Sequence, residues 1–183
     1  MRLAGAAAPV APPRLRPAHK PQMREIGAEH MPRRSISLCD WDTAEVVTRM
    51  KLRYPAGDVL FGKIRPYFHK VGIAFTDGVA SSDAVVLRAK TADFASRLPM
   101  TASSDEFVAA ASQSMREGSR MPRADLKLIV NYPVMIPPLA LLDEFGGLIH
   151  GITGQLRNLC FQNRKLREAR DLLLPRLMSN ALD

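Results

Sequence analysis

From Leu142 the apolar residues step alternately by three and four: Leu142, Phe145, Ile149, Ile152, Leu156, Leu159, Leu166 and Leu173. Asn163 and Arg170 occupy the two remaining positions of the same series. This is the a/d period of a coiled-coil seam, sustained for about four and a half heptads. A strand alternates with period two and cannot present such a seam. The spacing therefore predicts one long helix, roughly 50 Å over residues 142–174, with Pro175 as its stop. Gly146, Gly147, Gly151 and Gly154 each weaken it by about 1 kcal/mol relative to alanine. Such a helix does not stand alone; its seam needs a surface. That surface is either the chain's own domain or another helix, and the seam length and the Pro137-Pro138 boundary favour an intermolecular coiled coil. Asn163 at an a position is the kind of polar residue that fixes register and strand number.

Residues 1–23 are rich in Ala, Pro and Arg, with no acidic residue. Pro9, Pro12, Pro13 and Pro17 deny a helix its hydrogen bonds, so this stretch reads as a disordered tail. Residues 24–138 read as β-rich with short helices. Strand candidates are Val46-Val47, Asp58 to Phe61 after a Pro55-Ala56-Gly57 turn, Tyr67-Phe68, Val71 to Phe75, and Ala84 to Arg88. Asp77-Gly78 is a hairpin-turn signal. Ser103-Ser104-Asp105-Glu106 caps a helix through Phe107 to Ala111, ended by Gly118. Leu126 to Ile136 is a further apolar stretch. The fold class is α+β, with residues 139–183 as the long helix and a terminal tail.

The 183 residues carry 26 Lys/Arg against 18 Asp/Glu, a formal charge of +8. Residues 1–53 hold ten cations and five acids, so the excess sits toward the first half. A basic balance favours a polyanionic partner. No apolar run reaches the length of a transmembrane helix. Cys39 and Cys160 lie far apart with no C-x-x-C. This spacing argues against a four-cysteine zinc site and a disulfide-stapled secreted scaffold, and makes the cytoplasm the expected compartment.

Catalytic patterns fail one by one. Gly57 to Ile64 approaches G-x-x-x-x-G-K-[ST], but Ile64 offers no hydroxyl to magnesium and the interior is strand-like. Asn131-Tyr132-Pro133 has the wrong order for a methyltransferase N-P-P-Y box. His19, His30, His69 and His150 show no metal spacing, and no G-x-S-x-G or H-E-x-x-H occurs. Asp40 and Asp42 beside Trp41 read as a strand edge or cap. An independent enzyme is not expected, and no metal or cofactor is expected on this chain.

What remains is Gly62-Lys-Ile-Arg-Pro-Tyr-Phe-His-Lys70, with three firm cations, a histidine and two aromatics in nine residues. Arg33-Arg34 and Arg120 to Arg123 are further basic segments. Lys and Arg bind phosphates, and Arg also reads guanine. The candidate DNA contacts are Arg33, Arg34, Lys63, Arg65, Tyr67, His69, Lys70, Arg120 and Arg123; the competing reading is a set of ordinary solvated loops, with Phe68 in the core.

These stretches resemble the DNA specificity subunit of type I restriction–modification systems. The matching segments are Met31 to Leu38, Gly57 to Val71, Ser81-Ser82-Asp83 before a strand, Gly118 to Arg123, Pro137-Pro138 and Leu166 to Met178, in order over roughly residues 24–180. The resemblance implies a target-recognition domain, here residues 24–138, N-terminally truncated and partial, followed by a spacer helix. It implies a non-catalytic subunit that reads double-stranded DNA. Such a subunit recruits an adenine methyltransferase subunit and a restriction/translocase subunit, to which S-adenosylmethionine, ATP and magnesium would belong. Family members carry two recognition domains and two helices. One of each implies a half-subunit pairing through its helix with a second copy or another specificity subunit. The competing reading is a DNA-incompetent remnant that acts only as a coiled-coil interaction module.

Overall fold

A computed structural model describes residues 7–9, 14–15, 23–44, 51–115 and 120–180. Among these, ten strands form two five-stranded sheets. They are β1 (Ala7–Pro9), β2 (Arg14–Leu15), β3 (Met23–Ile26), β4 (Ser37–Leu38), β5 (Asp42–Ala44), β6 (Lys51–Tyr54), β7 (Val59–Gly62), β8 (Val71–Ala74), β9 (Gly78–Ala80) and β10 (Ala84–Ala89). The first sheet runs β1-β10-β7-β8-β4 and the second β2-β6-β9-β3-β5. Helices α1 (Ala92–Ala95), α2 (Arg97–Ala102), α3 (Asp105–Gln113), α4 (Leu126–Asn131) and α5 (Leu139–Asn180) follow.

The alternation of side chains along the first sheet produces three layers. Val59, Phe61, Val85 and Leu87 join Phe94, Leu98, Phe107 and Ile129 in one core beneath the helices. Their strand neighbours Leu60, Ala84 and Val86 point the other way and pack with Ile26, Tyr54 and Ala80 of the second sheet. A sheet covered on both faces reads as a continuous apolar run, which is why the β7, β8 and β10 segments are so uniformly hydrophobic. Asp58 is the polar exception. It is buried and receives both Arg88 Nε and Nη2 at 2.8 Å, the bidentate pairing a buried carboxylate needs.

Several expectations change. Within the stretch expected to be a disordered tail, Ala7–Pro9 pairs with β10 and Arg14–Leu15 pairs with β6, and the rest of it up to residue 22 lies outside the described residues. Proline disfavours a helix interior but is tolerated in an edge strand. Val46-Val47 and Gly118 lie outside the described residues; α3 already ends at Gln113. Tyr67-Phe68 is not strand but part of a 3-10 turn, Pro66–Phe68. Asp77-Gly78 makes no hairpin, because β8 belongs to the first sheet and β9 to the second. Gly78 is there for space: a Cβ would lie 2.5 Å from the Arg24 carbonyl oxygen and 2.5 Å from Tyr54 Oη. Asp77 instead accepts the Ala56 N–H at 2.8 Å, tying down the turn before β7. Ser104 caps α3 as expected, accepting from the Phe107 N–H at 3.2 Å.

The long helix exists, and Pro175 lies inside it rather than at its end. The last turns are exposed, so water can satisfy the carbonyl that proline leaves unbonded. Its seam divides. Leu142 and Ile149 are buried on the domain and Leu156 packs against the same core. Phe145, Ile152, Leu159, Leu166 and Leu173 are exposed, as is Asn163. Near the middle of α5, Cys160 is joined by a disulfide to Cys39, with Cα atoms 5.2 Å apart. Distance in sequence was a poor guide here, since a helix packed back across the domain brings the two together. No helix among the described residues is long and apolar enough to cross a membrane.

Gly78→Ala is expected to lower the unfolding free energy by about 1–3 kcal/mol, because backbone and a buried ring must both move. Urea denaturation followed by tryptophan fluorescence reads the shift in midpoint.

Candidate nucleic-acid interface

The β7–β8 hairpin carries the basic loop 63–70, closed by the Gly62 N–H donating to the Lys70 carbonyl at 2.8 Å. Within it the chain reverses through left-handed conformations at Arg65 (φ 47°) and His69 (φ 53°) on either side of the Pro66–Phe68 turn. Arg34 also has φ 53°. Non-glycine residues in this region carry strain of order 1 kcal/mol or more, so surrounding bonds must hold them. Those bonds are on the backbone. Arg34 N–H donates to the His69 carbonyl at 3.0 Å, and Arg65 N–H donates to the Pro122 carbonyl at 2.9 Å. Ala124 N–H donates to the Lys63 carbonyl at 2.8 Å, beside the Ile64–Arg123 bridge. The three basic segments are thus stitched to one another through their main chains.

The stitching brings cations to one surface. Arg33 lies over the Phe68 ring at 4.1 Å and Arg65 lies near the same ring at 5.9 Å. Tyr67 meets Phe68 edge-on at 4.9 Å and is itself 51% exposed. Phe68 is only partly buried; it is a platform under two guanidiniums, not the core residue of the competing reading. Cation–π contacts of this kind hold an arginine without neutralising it. Arg65 Nη2 also reaches the Arg120 carbonyl at 3.5 Å. Arg34 and Arg123 are tempered by carboxylates, Asp105 at 3.0 Å and Asp83 at 3.2 Å. Among the described residues, Arg33, Lys63, Arg65 and Arg120 have no carboxylate partner. Lys70 spends its ammonium on the Ala28 carbonyl.

His69 is a correction. It is 7% exposed, its Nε2 sits 2.7 Å from the Ser103 carbonyl, and its Nδ1 lies 3.4 Å from Asp105. It braces the loop against the start of α3 and is not free to touch DNA. Its place between Phe68 and Lys70 gave no hint of this, because the left-handed backbone at residue 69 sets the direction of the ring. Phe68 was missed for the converse reason: an aromatic after a tyrosine reads as core unless the arginines that cover it are known.

Other polar candidates resolve as structural. Asp40 accepts from Arg167 Nη1 at 3.2 Å, and Asp42 lies 3.3 Å from His30 Nε2. Among the described residues, no group of three or more His, Cys, Asp or Glu is placed to hold a metal.

No family model and no curated protein matches the chain. Solved structures do. One is the HsdS subunit from Thermoanaerobacter tengcongensis, with a TM-score of 0.63 at 17% identity over 100% of this chain and 47% of that one. Another is a chain in a structure on complex assembly and conformational transition of the type I R-M system. It gives a TM-score of 0.62 at 14% identity, over 99% of this chain and 48% of that one. This chain therefore has the fold of the HsdS subunit, and it spans about half the length of the chains it matches. The fold expected from the sequence resemblance is met.

Replacing His69 by alanine is expected to cost about 1–3 kcal/mol of stability by removing the brace to Ser103. The salt dependence of any DNA binding should stay unchanged; a flattened salt slope would return His69 to the contact surface.

Proposed function

We propose that this chain is a non-catalytic, sequence-specific DNA-binding subunit of a type I restriction–modification complex. In this reading it directs methyltransferase and restriction subunits to a bipartite site in the cytoplasm. The observation that carries the proposal is the convergence of Arg33, Arg65 and Arg120 on one edge of an HsdS-like fold. Exposed arginines on a rigid, strained loop suit phosphate contact and base reading. S-adenosylmethionine, ATP and magnesium would be bound by the partner subunits. Phosphate contact releases counterions, so affinity should fall with salt at a slope near −0.9 per phosphate neutralised. Arg33→Ala and Arg65→Ala should each lower that slope by about one in fluorescence-anisotropy titrations on duplex DNA. A flat salt response in the wild-type chain would sink the DNA reading.

The exposed half of the α5 seam supports pairing with a second helix, from another copy or from another specificity subunit. Ile152 and Leu159 are 45% and 53% exposed, so an aspartate at either position is tolerated by the monomer. Ile152→Asp with Leu159→Asp should convert a dimer into a folded monomer in light scattering. Leu156 is unsuitable for this test because it packs on the chain's own core. A dimer that survives both changes would show that the pairing surface lies elsewhere.

A further inference from the structure

We propose that the Cys39–Cys160 pair is a redox-sensitive lock that fixes the direction in which the second half of α5 leaves the domain. The first half of the helix is held along one face: Leu142 and Ile149 are buried and Leu156 packs on the core. Near its start it lies on α1, and Ser96 Oγ is 3.5 Å from the position of a Cβ on Gly146. Near its middle it is held by residues 39–41. There the disulfide joins Cys39 to Cys160, and Trp41 meets Phe161 edge-on at 6.1 Å. Arg164 covers Trp41 at 4.0 Å, and Arg167 pairs with Asp40 at 3.2 Å. Beyond Arg167 every side chain through Ser179 is exposed, so this contact is the last that can aim the projecting arm.

The last contact along that face sets the direction in which the arm leaves, and loosening it widens the range of directions. The covalent bond is the strongest part of that contact. The Asp40–Arg167 pair is 60% exposed on both sides, and exposed pairs hold little. The stretch before Cys160 contains Gly147, Gly151 and Gly154, around which a Cβ would meet nothing within 4 Å. Packing holds that stretch only on the face of Ile149 and Leu156.

The chemistry is thiol–disulfide exchange with a low-molecular-weight disulfide such as oxidised glutathione. Cys39 is partly exposed and Cys160 is buried. The Cys39 thiolate attacks the glutathione disulfide and releases one glutathione. The Cys160 thiolate then attacks Cys39 Sγ and releases the second. Two protein thiols are oxidised to one disulfide and one glutathione disulfide is reduced to two thiols. Excess dithiol reverses both steps.

The lock is tested on the full chain in oxidised glutathione and in dithiothreitol. A non-reducing tryptic digest should yield peptide 35–49 joined to peptide 158–164. Closing so long a loop should raise Tm by about 5–15 °C over the reduced chain. The two buffers should give the same Tm for Cys160→Ser, or for Cys39→Ser should burial at 160 forbid the first. Small-angle scattering should show a broader distance distribution after reduction. Absence of the linked peptide, a Tm blind to the buffer, or an unchanged distance distribution would each overturn the lock. The consequence for DNA rests on the function proposed above: reduction should weaken the preference for one spacing between two half-sites. A chain that binds no DNA in either buffer would fail that function, and the peptide, Tm and scattering results would still decide the lock.

Discussion

The first sheet has no solvent face over most of its length. Val59 and Phe61 of β7 go to the helices while Leu60 goes to the second sheet, and β10 divides in the same way. A one-residue slip would exchange the two sets and place Phe61 against the small residues Ala74 and Ala84, with Leu60 left under the helices. The register of β7 is therefore set from both sides. Everything at the candidate interface hangs from that register, since loop 63–70 begins one residue after β7 and ends one residue before β8. A hairpin anchored by two cores can carry a loop in an unfavourable conformation.

The loop uses that support. Arg34, Arg65 and His69 occupy the left-handed region, and each makes a main-chain bond to another segment in addition to the bonds of the 66–68 turn. The strain is thereby spread over three stretches far apart in sequence. Its effect is local and directional: His69 turns in to brace α3, and Arg65 turns out over Phe68. A loop built from glycine would reach the same path with less strain but would lose the guanidinium at the reversal. The residue types fit a surface that must be both charged and fixed.

Much of this was legible in the residues. The β7, β8 and β10 runs were uniformly apolar, and Ser104 announced the start of α3. The three basic segments were each visible as cations. Their convergence was not, because it depends on main-chain pairings such as Arg65 to Pro122 that leave no mark on composition. Asp77-Gly78 misled because a dipeptide typical of hairpins was selected for a different property, the room a glycine leaves beside Tyr54. Cys39 and Cys160 misled because sequence separation says nothing about two residues on elements that pack together. The seam on α5 was read correctly as a periodicity but not as a division of labour.

That division follows from geometry. A domain can cover only one side of a straight helix, and an a/d seam is wide enough to be split along its length. The positions Leu142, Ile149 and Leu156 turn toward the domain, and Cys160 continues the same face. Phe145, Ile152, Leu159, Leu166 and Leu173 fall to the side of that contact and remain in solvent. The two stripes are offset by less than half a turn, so one helix can serve its own domain and still offer a second apolar edge. The glycines of its first half weaken it as an isolated helix, and docking on α1 and the Cys39–Trp41 segment offsets that cost. The exposed edge has no such compensation among the described residues, and an apolar row that long in water is the physical feature that another helix would cover.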